Sequence, residues 1–174
     1  ETMKRIIVIG VGAQGSTIAK QLNDHSDVSE IICADYDPKA AEALSGSLSK
    51  ASALQLDAND VGDVNRAAEG CDLIVEAVFE DMDLKKKIFG ETEYFLTEGG
   101  VYGSNTSSLP ITELAKGVTK PENFIGIHFF SPVDKMPLVE IIVGKKTSDE
   151  TLAKTYDFTQ QIKKTPIVVN DGRG

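Results

Sequence analysis

Short apolar runs alternate with amphipathic stretches along most of the chain. The first run, Lys4–Ile9, flows straight into glycines, as a buried parallel strand does. From Gly15 the residues Gly15, Ile18, Ala19 and Leu22 fall at i, i+3, i+4 and i+7, one face of a helix laid on a sheet. Further strands are predicted at Glu30–Asp35, Ala53–Leu56, Leu73–Val78, Val101–Ser104, Phe124–Phe129, Leu138–Val143 and Thr165–Asn170. Helices are predicted from Pro38 to about Lys50, over Val61–Glu69 and over Leu84–Phe95. Another is expected to open on a capping box, Thr147-x-x-Glu150, and run to about Ile162. Strands separated by helices of this length form right-handed βαβ units. The expected architecture is α/β: a doubly wound, mostly parallel sheet with helices on both faces, in a single domain over residues 1–174.

Composition narrows the function classes. The chain has 174 residues, 41% of them hydrophobic, with 18 Lys and Arg against 27 Asp and Glu and a net charge of −9. A pI of 4.7 argues against a nucleic acid or an anionic membrane as partner, since both demand a basic surface. No apolar run approaches the roughly 18 residues that a membrane span needs, and no signal peptide opens the chain. Cys33 and Cys71 form neither a CxxC nor a zinc pattern, so no metal site is expected. They read as buried thiols in a reducing, cytoplasmic compartment. Residues 1–80 hold 14 acids and 6 bases, residues 81–174 hold 13 and 12. A solvated acidic surface is the plain reading of that imbalance. Glu1-Thr2 ahead of Met3 resembles the remnant of an expression tag, and the turn after Thr165–Asn170 reads as a cut at a domain boundary.

Gly10-Val-Gly-Ala-Gln-Gly15 matches G-x-G-x-x-G between a predicted strand and a predicted helix, which makes the expected fold Rossmann-type. Gly10 permits the tight turn, Gly12 lets the backbone approach a pyrophosphate, and Gly15 lets the helix pack closely. The amides at Ala13 and Gln14 open that helix, whose positive end holds phosphates. Asp35 lies 20 residues past Gly15, at the end of the second strand, where a carboxylate accepts both ribose hydroxyls of an adenosine. It would repel a 2′-phosphate, and Tyr36-Asp37-Pro38 supplies no Arg. NAD is therefore expected rather than NADP.

The second half carries candidates for acid–base chemistry. His25 sits in the polar stretch Asn23-Asp-His-Ser-Asp27 and reads as a loop residue. His128 ends the apolar run Phe124-Ile-Gly-Ile127, at the edge where open α/β sheets place their ligands. Glu140 lies on the next predicted strand, flanked by apolar residues, and needs a partner to offset desolvation. An imidazole would serve, its tautomer and basicity set by the carboxylate. Spacing alone equally allows a structural hydrogen bond with no chemistry. Asn105-Thr-Ser-Ser108 adds short polar groups on the same edge, or merely caps a helix.

From about Asp72 to Gly174 the chain resembles the NAD-binding domain of the 3-hydroxyacyl-CoA dehydrogenases, including that domain in the multifunctional β-oxidation enzymes. The resemblance is carried by Asp72-Leu-Ile-Val-Glu-Ala-Val-Phe-Glu80, Lys85-Lys-Lys-Ile-Phe89, Ser104-Asn-Thr-Ser-Ser-Leu109, His128-Phe-Phe-Ser-Pro132 and Leu138-Val-Glu140. It implies His128 as catalytic base, Glu140 as its orienting carboxylate and Ser107 as the hydroxyl on the substrate oxygen. It further implies Ala77, Val78, Glu80, Lys85 and Asn105 around the cofactor, and Ser131 where many members carry Asn. The implied reaction is the reversible oxidation of a 3-hydroxyacyl-CoA thioester, with the hydride passing to NAD. Lys86 and Lys87 read as a solvated helix face.

Residues 3–72 look instead like the nucleotide-binding domain of saccharopine-dehydrogenase-like proteins, as in Met3-Lys-Arg-Ile-Ile-Val-Ile-Gly10 and Ser26-Asp-Val-Ser-Glu-Ile-Ile32. The expectation is therefore a chimera, with a seam near residues 71–76. The family continues into a helical domain that closes the cleft. Without it, the expected behaviour is NAD binding and an intact dyad with little or no turnover. The alternatives are an active oxidoreductase on 3-hydroxyacyl thioesters, a non-catalytic nucleotide-sensing module, and an engineered scaffold. Apolar surface left uncovered leaves self-association open.

Overall fold

The computed structural model describes residues 2–56 and 68–172. The helix expected over Val61–Glu69 lies almost wholly outside them. The chain begins with β1 (Arg5–Ile9), α1 (Ala13–Asn23), β2 (Glu30–Asp35), α2 (Pro38–Gly46) and β3 (Ala51–Gln55). Then come β4 (Cys71–Glu76), α3 (Met82–Thr92), β5 (Leu96–Ser104) and a one-turn helix, α4 (Ile111–Leu114). The chain finishes with β6 (Phe124–Phe129), β7 (Leu138–Val143), α5 (Asp149–Gln161) and β8 (Thr165–Asn170).

The eight strands form one sheet in the order β3-β2-β1-β4-β5-β6-β7-β8. β1 through β6 pair in parallel, so the sheet is doubly wound and mostly parallel, as the alternation predicts. The order reverses at β1, which has β2 on one side and β4 on the other. Crossovers leaving in opposite directions open a crevice there, at the carboxyl ends of the strands. Ile6, Ile7, Val8 and Ile9 are fully buried, because β1 is covered on both faces. Residues of α1, α2 and α5 pack on one face and those of α3 and α4 on the other.

Chemistry at the element ends explains most boundaries. Asp37 caps α2 by accepting from the Lys39 amide, and Pro38 takes the first helical position. The expected capping box is displaced by one residue. Ser148, not Thr147, accepts from the Thr151 amide, while Thr147 Oγ1 is engaged by the Gly144 amide and the Phe124 carbonyl. Glu150 pairs with Lys154 on the surface instead.

One feature of the sheet was not anticipated. β7 runs antiparallel to β6, and β8 lies parallel to β7. Residues 130–137 are too few for a parallel crossover, which takes about a dozen or more. Cys33 and Cys71 are free and buried, and burial pushes their thiols up to about 11 and about 12, so neither is a reactive thiolate. No helix among the described residues is long and apolar enough to cross a membrane.

Candidate active site

The crevice at the β1–β4 reversal is a cleft of about 680 Å³, within the range of sites that take cofactors. Gly10, Gly12, Ala13, Gln14, Asp35, Ala77, Val78, Glu80, Asn105 and Ser107, all singled out from the sequence, line it. The three glycines divide the labour. Gly10 has φ +88°, and a Cβ there would meet the Ala77 carbonyl oxygen at 2.8 Å. A Cβ at Gly15 would overlap the Gly10 carbonyl, which is how helix and strand come so close. At Gly12 a Cβ would meet nothing within 4 Å. Nothing among the described residues needs Gly12 to be bare, so its open backbone fits a ligand pressing on it, as a pyrophosphate would.

Asp35 already has two backbone partners. Oδ2 accepts from the Val11 amide at 2.9 Å and Oδ1 from the Asp37 amide at 2.9 Å. It thus fastens the glycine-rich turn to β2 while each oxygen keeps a lone pair for a ribose hydroxyl. Asn105 works similarly: its Nδ2 donates to Gln14 Oε1 at 2.6 Å, and its Oδ1 accepts from the Phe129 amide at 2.8 Å. That side chain ties the glycine-rich turn to the end of β6.

Beneath the cleft lies a charged cluster. Glu76, fully buried at the end of β4, accepts from Ser104 Oγ at 2.6 Å, the Val78 amide at 2.8 Å and Lys85 Nζ at 2.6 Å. Lys85 Nζ also donates to the Val78 carbonyl at 3.0 Å and lies 3.2 Å from Glu80. Lys85 is 1% exposed and does not line the cleft; it holds the 77–81 loop that does. Burial works against the Glu80 carboxylate, yet hydrogen bonds from Thr106 and Ser108 and the Lys85 charge hold its pKa below the ordinary value. Sequence reasoning gave Glu76 no role. The available signal was the one used for Glu140: an acid flanked by apolar residues, here Val75 and Ala77. Tyr36, Phe79, Leu84 and Ile88 also line the cleft. Phe79 is 83% exposed, an aromatic ring at the mouth.

His128 and Glu140 are direct cross-strand partners of β6 and β7, so their side chains share one face. His128 Nδ1 stands 3.8 Å from Glu140 Oε1, longer than a hydrogen bond. Nδ1 is buried and has no hydrogen-bond partner among the described residues. Burial pushes the imidazole below its ordinary pKa, against the opposing pull of Glu140 and Glu80. A slight approach of the carboxylate would satisfy the orphaned nitrogen, and apo sites often carry such loose contacts. Ser107 is exposed and lines both the large cleft and a smaller one, about 170 Å³, that reaches Glu140. Ser131, in the turn after β6, is exposed and lines neither.

Residues 5–172 match the family described as 3-hydroxyacyl-CoA dehydrogenase, NAD binding domain. The chain belongs to that family. It is 52% identical over 109 residues to the fatty acid oxidation complex subunit alpha of Shewanella sp. (strain W3-18-1), covering 63% of this chain and 15% of the relative. The chain thus spans about one-seventh of such curated relatives. Among solved structures it is similar to a 3-hydroxyacyl-CoA dehydrogenase from Archaeoglobus fulgidus, at TM-score 0.83 and 28% identity, covering 97% of this chain and 57% of that one. It is also similar to a (S)-3-hydroxybutyryl-CoA dehydrogenase from Ralstonia eutropha, at TM-score 0.82 and 26% identity, covering 98% of this chain and 64% of that one.

The family match corrects the expected chimera. It runs unbroken through residues 71–76, and these structures cover nearly the whole chain. The packing gives the reason: Ile6 and Val8 of β1 share one core with Leu73 and Val75 of β4 and Ile125 and Ile127 of β6. The supposed seam runs through the centre of one sheet. This is a single NAD-binding Rossmann domain whose His128–Glu140 pair is placed like the family's catalytic dyad.

Proposed function

We propose that the protein is an NAD-dependent oxidoreductase on 3-hydroxyacyl-CoA thioesters, with His128 as base, Glu140 as its orienting carboxylate and Ser107 on the substrate oxygen. The observation that carries this reading is the direct opposition of His128 and Glu140 across the β6–β7 ladder. Similarity to fatty acid oxidation subunits supports an active dehydrogenase over the near-inactive one expected from the sequence.

Asp35 and the amides after Gly12 would hold the adenosine and pyrophosphate, and the 77–81 loop with Asn105 would flank the rest of the dinucleotide. NAD, when bound, supplies the acceptor for the C3 hydride. His128 takes the hydroxyl proton as that hydride leaves, and Glu140 stabilises the imidazolium that forms. Ser107 donates to the oxygen on which negative charge develops. In the reverse direction the imidazolium returns its proton.

The test is acetoacetyl-CoA-dependent oxidation of NADH. His128→Ala is expected to lower the rate by about 10²–10⁴-fold with NADH binding retained. Oxidation of 3-hydroxybutyryl-CoA needs the neutral imidazole, whose pKa burial depresses. The acid limb of kcat/KM is therefore expected below pH 6.5. Equal rates in His128→Ala and the unaltered protein would overturn the assignment.

A further inference from the structure

Lys164 immediately precedes β8 and is 9% exposed. Its Nζ donates to the Val133 and Met136 carbonyls, both at 2.7 Å, and it forms no ion pair among the described residues. Asp134 acts on it only through its field, against the stronger effect of burial. A buried ammonium without a counter-ion is costly, and an apolar side chain of similar length would fill the place more cheaply. The pair of hydrogen bonds to the Val133 and Met136 carbonyls offsets that cost here.

What they hold is the 130–137 turn, which joins His128 on β6 to Glu140 on β7. Several contacts hold that turn from outside, among them the Thr165 amide, which donates to the Pro137 carbonyl at 2.7 Å. The Val133 side chain is buried in the core, and the Val133 carbonyl also accepts from Gln21 Nε2 of α1 at 3.0 Å. The two Lys164 bonds complete the hold. At the start of the turn, the Phe130 ring lies against the His128 imidazole, centroids 4.9 Å apart.

We propose that Lys164 is a positioning residue: by clamping two carbonyls of the 130–137 turn it keeps Phe130 against His128 and the imidazole in line with Glu140. The proposal rests on the reading of His128 as the base, but its readout is the imidazole itself and needs no turnover. Groups that face His128 from neighbouring elements are Glu140 on β7 and Glu80 ahead of α3; Asp134 faces Lys164 from the turn.

The chain contains only two histidines, so NMR of the imidazole Cε1–Hε1 pairs gives two signals, assigned with His25→Asn. Lys164→Met removes the donors and keeps the stem. It is expected to leave NADH binding intact while the His128 signal broadens and its midpoint rises by about half a unit or more toward 6.5, as water reaches the ring. His25 is the internal control and should not move. Lys164→Arg, which keeps two donors, is expected to stay close to the unaltered protein. A folded Lys164→Met with an unchanged His128 signal overturns the proposal, as does an equal shift of both histidines. Where Lys164→Met fails to fold, Gln21→Leu removes the other donor on Val133 and must move His128 in the same direction; no movement overturns it. Absence of turnover in the unaltered chain would defeat the dehydrogenase reading and leave this comparison standing.

Discussion

Gly10, Gly12 and Gly15 are equivalent letters of one motif, yet the structure gives them separable duties. Gly12→Val adds bulk only where the cofactor's phosphates would lie. It is expected to abolish the NADH fluorescence response and leave Tm within about 2 °C. Gly15→Val forces α1 off the Gly10 carbonyl and should cost about 1–3 kcal/mol or more, read as a Tm several degrees lower. The motif and the ribose acid were legible because both depend on local spacing. The second duty of Asp35, tying Val11 and Asp37 to itself, was not. The Val11 contact joins residues 24 positions apart, and no local pattern records it.

Between elements, the buried Glu76–Lys85 pair sets the 77–81 loop on which the cofactor cleft depends. Removing one partner of such a pair strands the other, at about 3–5 kcal/mol, whereas removing both together costs less. Lys85→Met should therefore lower stability to urea more than the double variant Lys85→Met/Glu76→Leu, a double-mutant cycle being the measurement. The sequence placed Lys85 beside the cofactor because the family motif does; its side chain proves to be the support under that loop. The strands were legible from their apolar runs, with shifts of a few residues at the ends, as at β5, which starts at Leu96 rather than Val101. The reversal at β7 was missed although the short 130–137 link carried the signal. α4 was missed because one turn has no period to read, and its Ile111 and Thr112 amides are satisfied from far away by Asp171.

For the molecule as a whole, the cofactor is part of the stability. A ligand that binds only the folded state at a hundred times its Kd adds about 2.7 kcal/mol, which for a chain of this size raises Tm by roughly 5–10 °C. NAD should produce that rise, and Gly12→Val should erase it in a thermal-shift titration. The unity of the molecule was the least legible feature. The different resemblance of the first half suggested two ancestries, but the shared core of β1, β4 and β6 leaves no step in the sequence. The opposition of His128 and Glu140 has one more consequence. Neighbours across an antiparallel ladder stay opposed until the ladder slips or opens, and a slip of one residue displaces them by about 3.4 Å and turns one to the far side of the sheet. The backbone register that opposes the two residues is either kept or lost, even though the side chains can shift within it. Activity should therefore vanish in one step, with the opening of β6 from β7, and mark that local event before the rest of the chain unfolds.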